Sequence, residues 1–217
     1  DALPISANIN LSSQDYNMAI LSQDTVWRQG ETINLSGVLQ IAHGVTLTIE
    51  DGVTVNGGTI QAYGELDVLG TRSSKVTFNN VDFLFGENHE APGEIDLSYS
   101  VLNGGSFLDA TGNGSYGTFH VSDTSFNGTG GFYLWYPLEG SGFWRTEFNQ
   151  TNGLSIGTSN SFSVVDSAFY EVTGGYDPAS VTVWASYGPP VTVSGNTFSG
   201  GDVAVRVNNG ATVDARA

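Results

Sequence analysis

From Thr32 onward, apolar and polar residues alternate in short runs broken by glycine-containing turns. Ile33 and Leu35 alternate with polar neighbours. So do Leu39 and Ile41, Leu47 and Ile49, Val53 and Val55, Ile60 and Ala62, Leu66 and Val68, and Val76 and Phe78. Period-two alternation over a few residues is the pattern of a half-buried strand. Runs this close leave no room for helical crossovers, so successive strands must join through tight bends. Equivalent pairs recur. Ile33/Leu35 to Val53/Val55 is 20 residues, Leu39/Ile41 to Ile60/Ala62 is 21, and Leu47/Ile49 to Leu66/Val68 is 19. Three strand series with one common period predict a three-sided coil, whose turns bury their apolar side chains only by stacking. The expected fold is all-β, a right-handed parallel β-helix.

The second half keeps the rhythm with larger side chains. An apolar residue, four others and a second apolar residue recur as Phe78 to Phe83, Leu97 to Leu102, Val121 to Phe126, Phe143 to Phe148, Val164 to Phe169 and Val193 to Phe198. Asn103, Asn127 and Asn149 each follow such an anchor, and stacked asparagines can hydrogen-bond along a turn. Asn-Gly recurs at one phase of the repeat, which antiparallel hairpins do not predict. Counting from Ile33 to Val213 gives about nine coils. Residues 1–24 lack the pattern and are expected to form an N-terminal cap, with Gln14 to Ser22 as a short helix or strand. Residues 25–217 are expected to form the solenoid. The C-terminal "VNNGATVDARA" stays within the repeat, so neighbouring domains of a longer polypeptide are expected.

Charge narrows the partners. Six Lys and Arg face 22 Asp and Glu, a formal charge of -16. Such a surface repels nucleic acid and anionic membranes. No cysteine is present, which excludes disulfides and thiolate metal sites. No apolar run approaches the roughly 18 residues that span a bilayer, so membrane insertion through a helix is not expected.

The stretch "ETINLSGVLQIAHGVTLTIEDGVTVNGGTIQAYGELDVLGT", residues 31 to 71, resembles the opening coils of secreted bacterial β-helix proteins of the pectate-lyase-like superfamily. "SGNTFSG", Ser194 to Gly200, resembles their repeats. The resemblance implies the fold and an extracellular or cell-surface location. It implies no single activity, because the superfamily includes polysaccharide lyases, hydrolases, epimerases, adhesins and non-catalytic surface domains.

Two sets of residues carry candidate chemistry. Registered on the large apolar anchors, the position three before each reads Asn80, Tyr99, Asp123, Arg145, Asp166 and Gly195. Parallel strands lie roughly 4.8 Å apart, so Asp123, Arg145 and Asp166 are expected to stack on adjacent coils. As a catalytic set they suit a Ca²⁺-dependent polysaccharide lyase, with Arg145 as base or charge neutraliser and Glu147 and His120 nearby. As a structural set they form a ladder in which one arginine relieves two aspartates. The second set is aromatic. With Phe132 and Leu134 inward, Tyr133 and Trp135 point outward; Trp184, Tyr187 and Trp144 are outward on later strands. Exposed rings on a rigid sheet form a stacking platform for sugar rings, and the small Ser155 and Gly157 are expected to leave a groove between them. Asp109, Asp177 and Asp202, in glycine-rich turns, are candidate Ca²⁺ ligands. The metal set itself stays unknown at this level.

Three functions are consistent with this pattern. They are a non-catalytic extracellular module that binds polysaccharide or cell-surface glycan or presents a surface-interaction face, a Ca²⁺-dependent polysaccharide lyase or related carbohydrate-active enzyme, and a structural stalk segment of a large adhesin.

Overall fold

A computed structural model of the chain describes residues 18–86, 92–109, 116–173, 179–208 and 210–216. All regular structure among them is β-strand, arranged as three parallel sheets of nine, nine and eight strands. Sheet A runs from Met18–Leu21 to Val203–Val207, sheet B from Thr25–Trp27 to Val213–Arg216, and sheet C from Thr32–Asn34 to Thr197–Ser199. The chain visits A, B and C in turn. Eight turns carry all three strands, and Val203–Val207 and Val213–Arg216 begin a ninth. The architecture is a three-sided parallel β-helix.

Alternation builds the core. Val38–Ile41 buries Leu39 and Ile41, Thr46–Glu50 buries Leu47 and Ile49, and Glu65–Leu69 buries Leu66 and Val68. Each inward residue lies on its counterpart one turn away, as Leu39 on Ile60 and Leu47 on Leu66. Phenylalanines fill the middle and later turns. Phe126, Phe148, Phe169 and Phe198 form a column with near-parallel rings, their centroids 5.3, 4.6 and 4.9 Å apart.

Two corners turn on left-handed residues, one at most turns and a Gly-Gly pair at Gly57–Gly58 and Gly104–Gly105. Between sheets B and C these are Tyr99, Asp123, Arg145 and Asp166, with φ of 45°, 52°, 50° and 51°, followed by Gly195. Between sheets C and A they are Gly57, Asn80, Gly104, Gly128, Gln150, Glu171 and Gly200. An αL residue reverses the strand's heading while its amide stays available, and the corner amides named here from Gly57 to Gly195 bond carbonyls of the next turn, as Asp123 N–H to Trp144 O at 3.1 Å. The residue before the C–A corner is asparagine on six successive turns. Asn56, Asn79, Asn103, Asn127 and Asn149 each donate through Nδ2 to Oδ1 of the asparagine one turn earlier, at 2.9 to 3.0 Å, back to Asn34. The ladder expected from Asn103, Asn127 and Asn149 therefore extends through three further residues.

Two registers differ from expectation. Ile33 pairs with Val55, a step of 22 residues rather than 20, because Leu35 and Val53 are buried beside the corners and not in the strands. Phe83 belongs to sheet A, and Phe78 stacks on Leu102. Asn80 thus lies at the C–A corner, outside the column of Asp123. The reason is geometric: both corners separate inward residues by five positions, so spacing cannot tell one from the other. At the N-terminus, Met18–Leu21 pairs in parallel with Val38–Ile41 as the first strand of sheet A. The earlier part of the expected cap lies outside the described residues.

Candidate functional site

The B–C corner gathers the charged column. Tyr99, Asp123, Arg145 and Asp166 follow one another on successive turns, as the anchors predict. Their αL backbone tilts the side chains away from the core. Arg145 grips Asp123 through both carboxylate oxygens, Nε at 2.9 Å and Nη2 at 2.7 Å. This bidentate bond, with the negative charges of Asp123 and Asp166, pushes the guanidinium further up from its ordinary pKa. Asp166 sits one turn on, and no ion pair joins it to Arg145 among the described residues. Of the three, Asp123 and Arg145 are brought into contact and Asp166 supplies only field.

An open groove of about 340 Å³ runs along this corner, lined by Arg72, Lys75, Tyr99, Asp123, Arg145 and Glu147 among others. Three of the six basic residues of the chain therefore share one groove. Arg72 and Lys75 come from the turn between Glu65–Leu69 and Val76–Asn79, which is several residues long where the later B–C corners need one. That longer turn is the sequence signal that could have found them. Glu147 lines the groove as expected. His120 instead projects from sheet B, where its Nδ1 lies 2.9 Å from Asp96 Oδ1.

The aromatic set divides between two faces. Tyr133 and Trp135 project outward from sheet A with near-parallel rings, centroids 5.7 Å apart. Trp184 is on the same sheet, at a bulge that shifts the register between Ile156 and Gly157. Tyr187 is past the end of that strand and is 79% exposed. Trp144 is on sheet B, its ring 5.9 Å from that of His120. The expected groove over Ser155 and Gly157 is filled: the Trp135 indole lies across Gly157, so a Cβ there would stand 3.0 Å from the ring, and Ser155 is buried. Glycine is what lets the indole lie down.

Two rings unforeseen from the sequence complete the strip. Tyr136, at the A–B corner, packs edge-on against Trp135 with centroids 6.2 Å apart, and stacks on Tyr116 at 5.6 Å and 4°. Tyr136 adopts φ 58°, and this left-handed residue swings its ring from the sheet onto the corner. The result is a continuous run Tyr133–Trp135–Tyr136–Tyr116, part exposed along its length.

The acidic face lies on sheet B. Glu65 and Asp67 pair with Glu94 and Asp96 on the next strand, and Asp96 pairs with His120 on the one after. Partial burial, then the neighbouring carboxylates, hold Asp67 and Glu94 above the usual carboxylate range. Of the candidate Ca²⁺ ligands, Asp109 falls in a strand rather than a turn, Asp202 is exposed in a bend, and Asp177 lies outside the described residues.

No protein-family profile, no curated protein and no solved structure matches the chain.

Proposed function

We propose that this chain is a non-catalytic extracellular β-helix module of pectate-lyase-like type that binds polysaccharide along its A–B edge. The observation that carries this function is the four-ring run Tyr133–Trp135–Tyr136–Tyr116. Rings stacked on one another are fixed in orientation, so a sugar meeting them costs little ordering entropy on the protein side. Their apolar faces suit the CH faces of pyranose rings, and the rigid strands beneath hold them in a line. An extended polymer fits a line of rings better than an isolated monosaccharide does. A glycan array tests the proposal. The parent chain should bind at least one polysaccharide, and Trp135→Ala and Tyr136→Ala should each weaken that binding by tenfold or more. Absence of binding to every glycan, or equal binding by the variants, would overturn it.

A second function, cleavage of an acidic polysaccharide, draws on the B–C groove. Arg72, Lys75 and Arg145 outnumber Asp123 and Glu147 in this groove, on a chain whose net charge is -16. That field suits a uronate carboxylate. Arg145 there acts as a charge neutraliser, since its bond to Asp123 opposes loss of the proton that a base must lack. Incubation with pectate or alginate plus Ca²⁺ should then yield unsaturated products absorbing in the ultraviolet, and an unchanged spectrum rejects this function.

A further inference from the structure

We propose that sheet B carries a binding site for a divalent transition-metal ion of the Zn²⁺ or Co²⁺ type, held by Glu94, Asp96 and His120. Alternation decides the placement. Ile95, Leu97, Phe119 and Val121 point into the core, so Glu94, Asp96 and His120 point out from two adjacent strands. One donor atom from each lies within 4.8 Å of the others. His120 Nδ1 is 2.9 Å from Asp96 Oδ1 and 3.9 Å from Glu94 Oε1. An ion bonded to nitrogen and oxygen at about 2.0 to 2.2 Å holds neighbouring donors roughly 2.9 to 3.5 Å apart. The His–Asp pair already meets that spacing, and a small rotation of the Glu94 side chain completes the set.

The donor set selects the ion. Ca²⁺ and Mg²⁺ take oxygen ligands, whereas imidazole nitrogen suits Zn²⁺, Co²⁺, Ni²⁺ and Cu²⁺. The site is distinct from a bare acidic cluster because the imidazole nitrogen is the atom on which both carboxylates converge. The surroundings favour a cation. Glu65 and Asp67 stand on the preceding strand, and no lysine or arginine forms an ion pair with any of the four carboxylates among the described residues. Solvent reaches all three side chains, which are between 38 and 44% exposed. Gly142 is the cross-strand neighbour of His120, and the Trp144 ring lies over it, 3.0 Å from where a Cβ would stand; a Cβ at Gly140 would lie 3.6 Å from His120 Nε2, so glycine there leaves that nitrogen uncovered. Trp144 walls the other side and supplies a reporter.

The test uses the whole chain freed of metal by a chelator, titrated with Co²⁺, Zn²⁺ and Ca²⁺ by calorimetry. One Co²⁺ or Zn²⁺ should bind per chain, with visible Co²⁺ bands and quenching of Trp144 fluorescence that Trp144→Phe abolishes. His120→Gln and Asp96→Asn should each lower the affinity at least tenfold while the circular dichroism stays that of the parent. In the parent itself, Co²⁺ should shift the ring protons of His120 and leave those of His43 unmoved, a readout that needs no variant. The proposal is overturned if neither Co²⁺ nor Zn²⁺ binds, if Ca²⁺ alone binds, or if His43 shifts and His120 does not. Affinity unchanged by His120→Gln also overturns it. The site stands apart from the Tyr133–Tyr116 strip, so its failure leaves glycan binding untouched.

Discussion

Arg145 and Asp123 are 22 residues apart in the chain and share a two-pronged bond one turn of the helix apart. Both occupy left-handed corners, where a side chain other than glycine costs about 1 kcal/mol or more. Arg145 is more than half exposed and Asp123 about one-fifth, and surface pairs are worth about 0 to 1 kcal/mol. Arg145→Ala should therefore lower stability by less than about 1 kcal/mol. Arg145→Gly should be near neutral, because relief at the corner offsets loss of the pair. Denaturant unfolding of the two variants checks both, and a larger loss for glycine than for alanine would contradict the corner argument.

Asn103 sits in the middle of the asparagine ladder. Its Nδ2 donates to Asn79 and its Oδ1 accepts from Asn127. Asn103→Ala leaves Asn79 Oδ1 and Asn127 Nδ2 without their ladder bonds and should cost about 1 to 3 kcal/mol. Asn34→Ala, at the exposed end, removes one bond and should cost less. Comparison of the two unfolding midpoints measures the difference.

Phe148 lies between Phe126 and Phe169 and is fully buried. Phe148→Ala should cost about 3 to 5 kcal/mol, the range for emptying a buried phenylalanine site. Phe198 is only partly buried at the end of the column, so Phe198→Ala should cost distinctly less. Thermal unfolding of the pair tests whether the column is one packed unit.

Gly157 is the floor on which Trp135 lies. Gly157→Val should lift the indole, break its alignment with Tyr133 and weaken glycan binding severalfold without removing any ring. Parent-like affinity in this variant would mean that the indole plane does not contribute.

Ser161 donates its backbone N–H and its hydroxyl to Glu139 on the preceding turn. These bonds hold the Glu139 carboxyl below its ordinary pKa of 4.5. A depressed carboxylate favours the folded state above the unfolded pKa and loses that benefit as pH falls through its folded value. Ser161→Ala should raise the Glu139 pKa and shrink the stability difference between neutral pH and the region below 4.5. Carbon-13 titration of Glu139 follows the first effect, and unfolding at two pH values the second.

Much of the solenoid was legible because a strand's period of two is written directly in side-chain polarity. Leu39 over Ile60 and Leu47 over Leu66 follow from alternation and period alone. The stacking of Asp123, Arg145 and Asp166 also follows from counting, since all three precede the same kind of anchor. Counting failed at Phe83 and Asn80, where two corners share one spacing.

What the chain's order of residues determined by itself was therefore the coil, its core and the vertical neighbours within most columns. Repetition makes each turn a local copy of the last. The tertiary structure alone decided what meets across corners and between faces. Trp135 reclines on Gly157, Tyr136 swings onto Tyr116, Arg72 and Lys75 reach the groove of Arg145, and His120 turns to Asp96. Those contacts depend on the φ of a corner residue, the length of a turn and side-chain rotation, none of which a repeat period encodes.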